Sequence, residues 1–165
     1  MALVRILDLG NMGELVGKQF MKAKGFTILK NFYPRKKPVR FYTNAGPNYT
    51  QVLEHWRVRE EARKKILPQV LSLLSSEDKK LLNKIFSLGL EFDFMVYCKD
   101  DRLLTTHLAL CEVKTNKGML RKKQRERIID ARKAGIPVFL INVVIDEGSH
   151  GILSSIRQVT YARVA

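Results

Sequence analysis

Two apolar runs, Phe92-Asp93-Phe94-Met95-Val96-Tyr97-Cys98 and Leu108-Ala109-Leu110-Cys111-Glu112-Val113-Lys114, stand either side of a polar loop, Lys99-Asp100-Asp101-Arg102. Their apolar and β-branched content predicts neighbouring strands of a hairpin. Both faces of each run are mostly apolar, which places the strands in the middle of a covered sheet. A third run, residues 137–145, is continuously apolar and predicts another buried strand. Residues 119–134, between the second and third runs, have helical spacing through Leu120, Ile128 and Ala131 and stop at Gly135. The strand–helix–strand unit over 108–145 is expected to be right-handed, with its strands parallel.

Upstream, residues 10–25 predict a first helix, with Asn11 as N-cap, Leu15, Val16, Phe20 and Ala23 as its apolar side, and Gly25 as its stop. Residues 26–33 alternate weakly and predict an outer strand. A rigid basic turn follows at 34–38, then a candidate short strand at 39–43. Residues 49–74 are helical and charged, with Val52, Trp56, Ile66, Val70, Leu71 and Leu74 as the expected buried stripe and Pro68 expected to end or kink the helix. A further helix starts at Ser75 or Ser76, with Glu77 and Asp78 in its first turn and Gly89 as its stop. Residues 34–88 thus read as a mostly helical insertion in a single domain spanning 1–165. The tail, 152–165, is open between a short helix and an edge strand.

Three charges break the apolar pattern of the central strands: Asp93, Glu112 and Lys114. Alternation puts Glu112 and Lys114 on one face, roughly 7 Å apart, and Val113 on the other. If Asp93 pairs near Glu112, its carboxylate joins them. Two carboxylates in a partly dry site are kept ionised by a bound cation or a nearby ammonium. Oxygen ligands of this kind suit Mg²⁺ or Mn²⁺, and Lys114 could hold or deprotonate a water beside the ion. A buried salt bridge between Lys114 and one acid is the simpler account of an isolated E-x-K. Glu14, in the expected first turn of its helix, is explained either by the helix dipole or by reach to the same site. Gln124 falls on the inward stripe of a helix otherwise carrying Arg121, Lys122, Lys123, Arg125, Arg127, Arg132 and Lys133. It is either a flanking surface residue or an orienter of Lys114, a water or a phosphate.

Charge and composition narrow the setting. The 165 residues carry a formal net charge of +14, which points to a polyanionic partner, nucleic acid before an acidic membrane surface. A hydrophobic fraction of 45% fits one domain with a core and argues against disorder. No apolar run is long enough to span a bilayer, and residues 1–8 lack the apolar core of a signal peptide. Cys98 and Cys111 form no disulfide framework, so an intracellular, reducing location is expected, with both as small buried hydrophobes. His55, His107 and His150 are too scattered for a zinc site.

The order of these features, namely a helix with Glu14, a strand, a strand with Asp93, a strand with Glu112-Val113-Lys114, a helix with Gln124 and a strand, resembles the PD-(D/E)XK nuclease superfamily. Gly10-Asn11-Met12-Gly13-Glu14 looks like the glycine-then-acid start of that family's first helix, and Phe92-Asp93 stands where the family writes Pro-Asp. The match covers 10–33 and 89–145, with spacing similar to archaeal Holliday-junction resolvases and virus-type replication-repair nuclease domains. The resemblance implies an α/β, restriction-endonuclease-like αβββαβ core, a mixed central sheet flanked by helices, with the helical insertion between the first and second core strands. It implies hydrolysis of DNA, rather than RNA, with Mg²⁺ or Mn²⁺, on branched or otherwise structured substrates. Asp93, Glu112, the Val113 carbonyl and Glu14 would be metal ligands. Lys114 would position or deprotonate the water, Gln124 would orient it, and Lys117, Arg121, Lys122 and Arg125 would hold the nucleic-acid backbone. A homodimer is a further expectation of the resemblance. The competing expectations are a nucleic-acid-binding module without chemistry, and a complex-assembly partner that docks through the 49–88 helices with Trp56 as anchor.

Overall fold

A computed structural model describes residues 2–29 (2–9 as backbone only), 37–38, 48–98, 107–116, 118–146 and 156–165 (Arg157 as backbone only). In chain order the elements are α1 (Ala2–Ala23), β1 (Thr27–Leu29), α2 (Tyr49–Leu73), α3 (Ser76–Ser87), β2 (Phe94–Tyr97), β3 (Leu108–Thr115), α4 (Lys122–Lys133), β4 (Val138–Ile145) and β5 (Ile156–Arg163). The strands form one sheet in the order β1-β2-β3-β4-β5. β1, β2 and β3 run antiparallel, β3 and β4 are parallel, and β5 returns antiparallel to β4. The protein is therefore mixed α/β, a five-stranded mixed sheet flanked by helices. Among the described residues no helix is long and apolar enough to cross a membrane.

The alternation of the central strands divides the core into two layers. Leu108 and Leu110 of β3, with Met95 and Tyr97 of β2, face the end of α2 (Val70, Leu74), α3 (Leu81, Leu82, Ile85) and α4 (Ile128, Ala131). Ala109 and Cys111, with Phe94, Val96 and Cys98, face α1, whose Met21 is fully buried, and the inward residues of β4. Both cysteines are buried and free, and burial pushes the Cys111 thiol well above its ordinary value. Each leucine-sized side chain buried in these layers contributes about 1.5–3 kcal/mol. Both faces of β2 and β3 are covered, as the doubly apolar runs predict.

Several boundaries differ from expectation. The first helix begins at Ala2, not near residue 10, so Asn11 is no N-cap and Glu14 lies in the middle of the helix. Residues 2–9 are rich in strong helix formers, and nothing in them stops a helix. Gly25 ends the excursion in a left-handed turn, with φ 94. The described part of the outer strand is Thr27–Leu29; residues 30–33 of the expected strand, and the expected short strand at 39–43, lie outside the described residues. α2 runs through Pro68 to Leu73. Its packed stripe is confined to its C-terminal part: Val70 and, just past the helix, Leu74 are buried, and Ile66 and Leu71 pack partly buried on the same core, whereas Val52 is exposed and Trp56 partly so. α4 starts at Lys122, three residues later than expected, for a reason that belongs to the site. The tail is the edge strand β5.

α3 starts with a reciprocal cap. Ser75 Oγ accepts from the Asp78 N–H (3.2 Å), and Asp78 Oδ2 accepts from the Ser75 N–H (3.2 Å). The same carboxylate accepts from the His107 N–H (2.8 Å) and meets His107 Nδ1 (2.8 Å), tying α3 to the start of β3.

Candidate active site

The C-terminal end of β3 outruns β2. The last β2–β3 pair is Phe94 with Cys111, so Glu112, Val113, Lys114 and Thr115 have only β4 beside them. Asp93, one residue before β2, occupies the gap and accepts a hydrogen bond from the Val113 N–H through Oδ2 (2.7 Å). A strand residue's carbonyl points to the same side as its N–H, so the Val113 carbonyl also faces this gap. The gap opens into a cleft of about 730 Å³ whose lining includes Glu14, Asp93, Glu112, Val113, Lys114 and Gln124.

Glu14 arrives because α1 can sit close to the sheet. Gly13 and Gly17, one turn apart, face β3. A Cβ added at Gly13 would lie 1.9 Å from Thr115 Oγ1, and one at Gly17 would lie 3.0 Å from a Val113 methyl carbon. Any larger side chain there lifts the helix, so the glycine ahead of the acid has a steric reason. Gly10 and Asn11 line the cleft on the same side of α1 as Glu14.

Glu112 is 4% exposed. Its Oε1 accepts from Gln124 Nε2 (2.5 Å) and lies 3.3 Å from Lys114 Nζ. Lys114 Nζ in turn donates to Gln124 Oε1 (2.8 Å). Gln124 Oε1 also accepts from the Arg121 N–H (2.8 Å). With two donors on its oxygen and a carboxylate on its nitrogen, the amide has one sensible orientation. This bond to the N–H of the residue before the helix is also half of a capping box, and it fixes the start of α4. The delayed helix start and the glutamine at the site are thus one feature.

The electrostatics are strained. Burial and then the neighbouring Asp93 charge raise the Glu112 carboxyl above its ordinary value, against the pull of Lys114 and Arg127. Burial and then Asp93 also raise Glu14, with Lys18 pulling the other way and a hydrogen bond to Asp93 adding to the rise. Asp93 therefore interacts with two acids whose ionisation it disfavours, a setting in which nearby positive charge is favourable. Hard carboxylate and carbonyl oxygens suit Mg²⁺ or Mn²⁺. Among the described residues, however, no group of three acid, histidine or cysteine side chains stands close enough to hold a metal ion unaided. The oxygens that could contribute to such a site, all from residues lining the cleft, are the Asp93, Glu112 and Glu14 carboxylates and the Val113 carbonyl.

Glu14, Asp93, Glu112, Val113, Lys114 and Gln124 are thus brought to one cleft. Of the basic residues assigned to backbone binding, Arg121 lines the cleft. Lys122 and Arg125 are exposed at the start of α4 without lining it, and Lys117 lies outside the described residues. Sequence reasoning did not place Gly10, Asn11, Thr115, Asn116, Gly118 and Met119 on the cleft lining. Asn11 carried a signal, since it lies three residues before Glu14 and so on the same side of the helix. No protein-family model, curated protein or solved structure matches this chain.

Proposed function

We propose that the protein is a metal-dependent nuclease that hydrolyses phosphodiester bonds in DNA. The observation that carries this reading is the meeting of Asp93 with Glu14 and Glu112, both held above their ordinary pKa, beside the Lys114–Gln124 pair. The element order, helix, strand, hairpin, helix and parallel strand, supports the restriction-endonuclease-like assignment that the resemblance implies. Asp93, Glu112 and the Val113 carbonyl would hold Mg²⁺ or Mn²⁺, with Glu14 completing the set from α1. The bound ion supplies Lewis acidity at the phosphate. Lys114, aimed by Gln124, orients the attacking water and meets negative charge as it builds on the phosphate oxygens. Gln124 keeps Glu112 and Lys114 in fixed relation, so neither has to reorganise during the reaction. Arg121 and the basic start of α4 would hold the flanking backbone, in keeping with the net charge of +14.

A second reading is favoured by one observation. The absence of a three-side-chain metal cluster among the described residues suits a nucleic-acid-binding module without chemistry. One experiment separates the two. Linear, single-stranded, flapped and four-way DNA are incubated with the protein and Mg²⁺ or Mn²⁺. The nuclease reading expects divalent-dependent cleavage by the wild type, reduced by at least about a thousandfold in Glu112→Ala and Lys114→Ala. Salt-sensitive binding with no cleavage under either ion supports the binding module. Equal cleavage by both variants and the wild type overturns the site assignment.

A further inference from the structure

The cleft carries one side chain that its polar chemistry does not use. Met119 is 81% exposed, the most exposed large hydrophobic side chain among the described residues, ahead of Leu15 at 58%. It lies on the cleft rim with Lys114, Arg121 and Gln124, in the connection between β3 and α4.

The connection is tied on both sides of Met119. Before it, the Gly118 N–H donates to the Thr115 carbonyl (3.1 Å). Asn116, at φ 55, anchors this turn to β4, its N–H donating to the Val143 carbonyl (2.7 Å) and its Oδ1 accepting from the Ile145 N–H (2.8 Å). After it, Leu120 packs against the α3–α4 side of the core, and the Arg121 N–H is held by Gln124. A Cβ at position 118 would meet the Thr115 carbonyl at 3.1 Å, so Gly118 keeps the turn tight beneath Met119. Gly118 on one side of the methionine and Leu120 and Arg121 on the other are therefore held in place, beside Arg121 and Lys114 of the cleft lining.

A polyanion held by Arg121 and Lys114 would bring a second, apolar surface with it, namely the faces of its bases. Apolar side chains of this size enter base steps and unstack them, and the unbranched thioether adapts to any base. We propose that Met119 packs against the nucleobase next to the phosphodiester held in the cleft and unstacks it from its neighbour. The contact gives the enzyme a preference for steps that unstack easily, such as pyrimidine–purine steps or the base beside a nick. This inference rests on the nuclease reading above.

The test uses the full chain and a duplex carrying 2-aminopurine beside the mapped cleavage position. Binding is followed with Ca²⁺ in place of Mg²⁺, and cleavage with Mg²⁺. Wild-type protein is expected to raise the 2-aminopurine fluorescence severalfold. Met119→Ala is expected to abolish that rise and slow cleavage roughly tenfold, the scale of losing one apolar contact in a specificity pocket. The salt dependence of binding should stay the same, because no charge is removed. Met119→Leu, which keeps an apolar side chain of similar volume, should retain both signals. Wild-type cleavage without a fluorescence rise, or a Met119→Ala variant that matches the wild type in both, overturns the inference alone. Absence of wild-type cleavage with either Mg²⁺ or Mn²⁺ overturns the nuclease reading and this inference with it.

Discussion

Two acids are buried among the described residues, Asp78 and Glu112, and they are buried in opposite ways. Asp78 is surrounded by donors: the Ser75 N–H and hydroxyl, the His107 N–H and the His107 ring. Burial alone would raise its carboxyl, but the bonds from His107 and then Ser75 outweigh burial and hold it below its ordinary value. Glu112 has one amide donor and one ammonium, and it faces another carboxylate. Its carboxyl is held above its ordinary value. The first arrangement is what a fold does with a charge it needs for its own integrity. The second leaves a charge that its surroundings disfavour, the kind of perturbed carboxyl that clusters at functional sites. Burial does not distinguish the two, whereas the set of neighbours does.

The largest expected effect breaks or upholds this contrast directly. In the absence of divalent ions, Asp78→Asn should lose about 2 kcal/mol of folding stability in urea titrations, because donors matched to a carboxylate are left facing an amide. Glu112→Gln should lose well under half of that, since burial and Asp93 disfavour its charge by more than Lys114 and Arg127 favour it. Equal losses would make Glu112 a structural ion-pair member and erase the distinction.

The next effect is one of pH, and the two acids have opposite signs. The Asp78 carboxyl lies below its unfolded value near 3.8, so its stabilisation is complete above that pH and is lost as pH falls through the folded value. Glu112 and Glu14 lie above their unfolded value near 4.5. The unfolded chain therefore gives up these protons first, and stability falls as pH rises from about 4.5 through the folded values. Ion binding needs the same groups ionised, so the rise in melting temperature given by Mg²⁺ or Mn²⁺ should grow across that window. Thermal melts at several pH values, with and without the ion, check both signs. An ion effect that does not change with pH would detach the ion from these acids.

The smallest effect concerns the third acid. Glu14→Gln removes its repulsion with Asp93 from a partly exposed position and should raise metal-free stability by about 0.3 kcal/mol, a screened surface-scale change. The same substitution should weaken the response to Mg²⁺. Lower metal-free stability in this variant would mean that Glu14 is a helix residue only.

The central sheet was legible in the sequence because its strands are apolar on both faces, a pattern that a surface strand does not show. The gathering of Asp93, Glu112, Lys114 and Gln124 at one cleft was legible for the same reason, since they are polar groups where the pattern asks for apolar ones. The starts of α2 and α3 were legible too, at Tyr49 and at the Ser75 cap, but those of α1 and α4 were not. Asn11 has the chemistry of a cap but lies inside α1, and the start of α4 is set by Gln124 folding back on Arg121, a bond no local propensity contains. The Asp78–His107 link joins residues 29 apart and exists only once α3 lies against the sheet. β5 lacks clear alternation because it is an edge strand, its described side chains mostly exposed. The close approach of Gly13 and Gly17 to β3 shows only once the sheet lies beneath α1.

Those two glycines behave like the teeth of a ratchet. Were α1 to slip by a single turn, about 5.4 Å, Gly17 would take the seat over Thr115 and Met21 would be driven onto Val113, where there is no room for it. The slip would also carry Glu14 away and deliver Lys18 in its place. The spacing of two hydrogen-only side chains thus decides whether the mouth of the cleft is offered an anion or a cation.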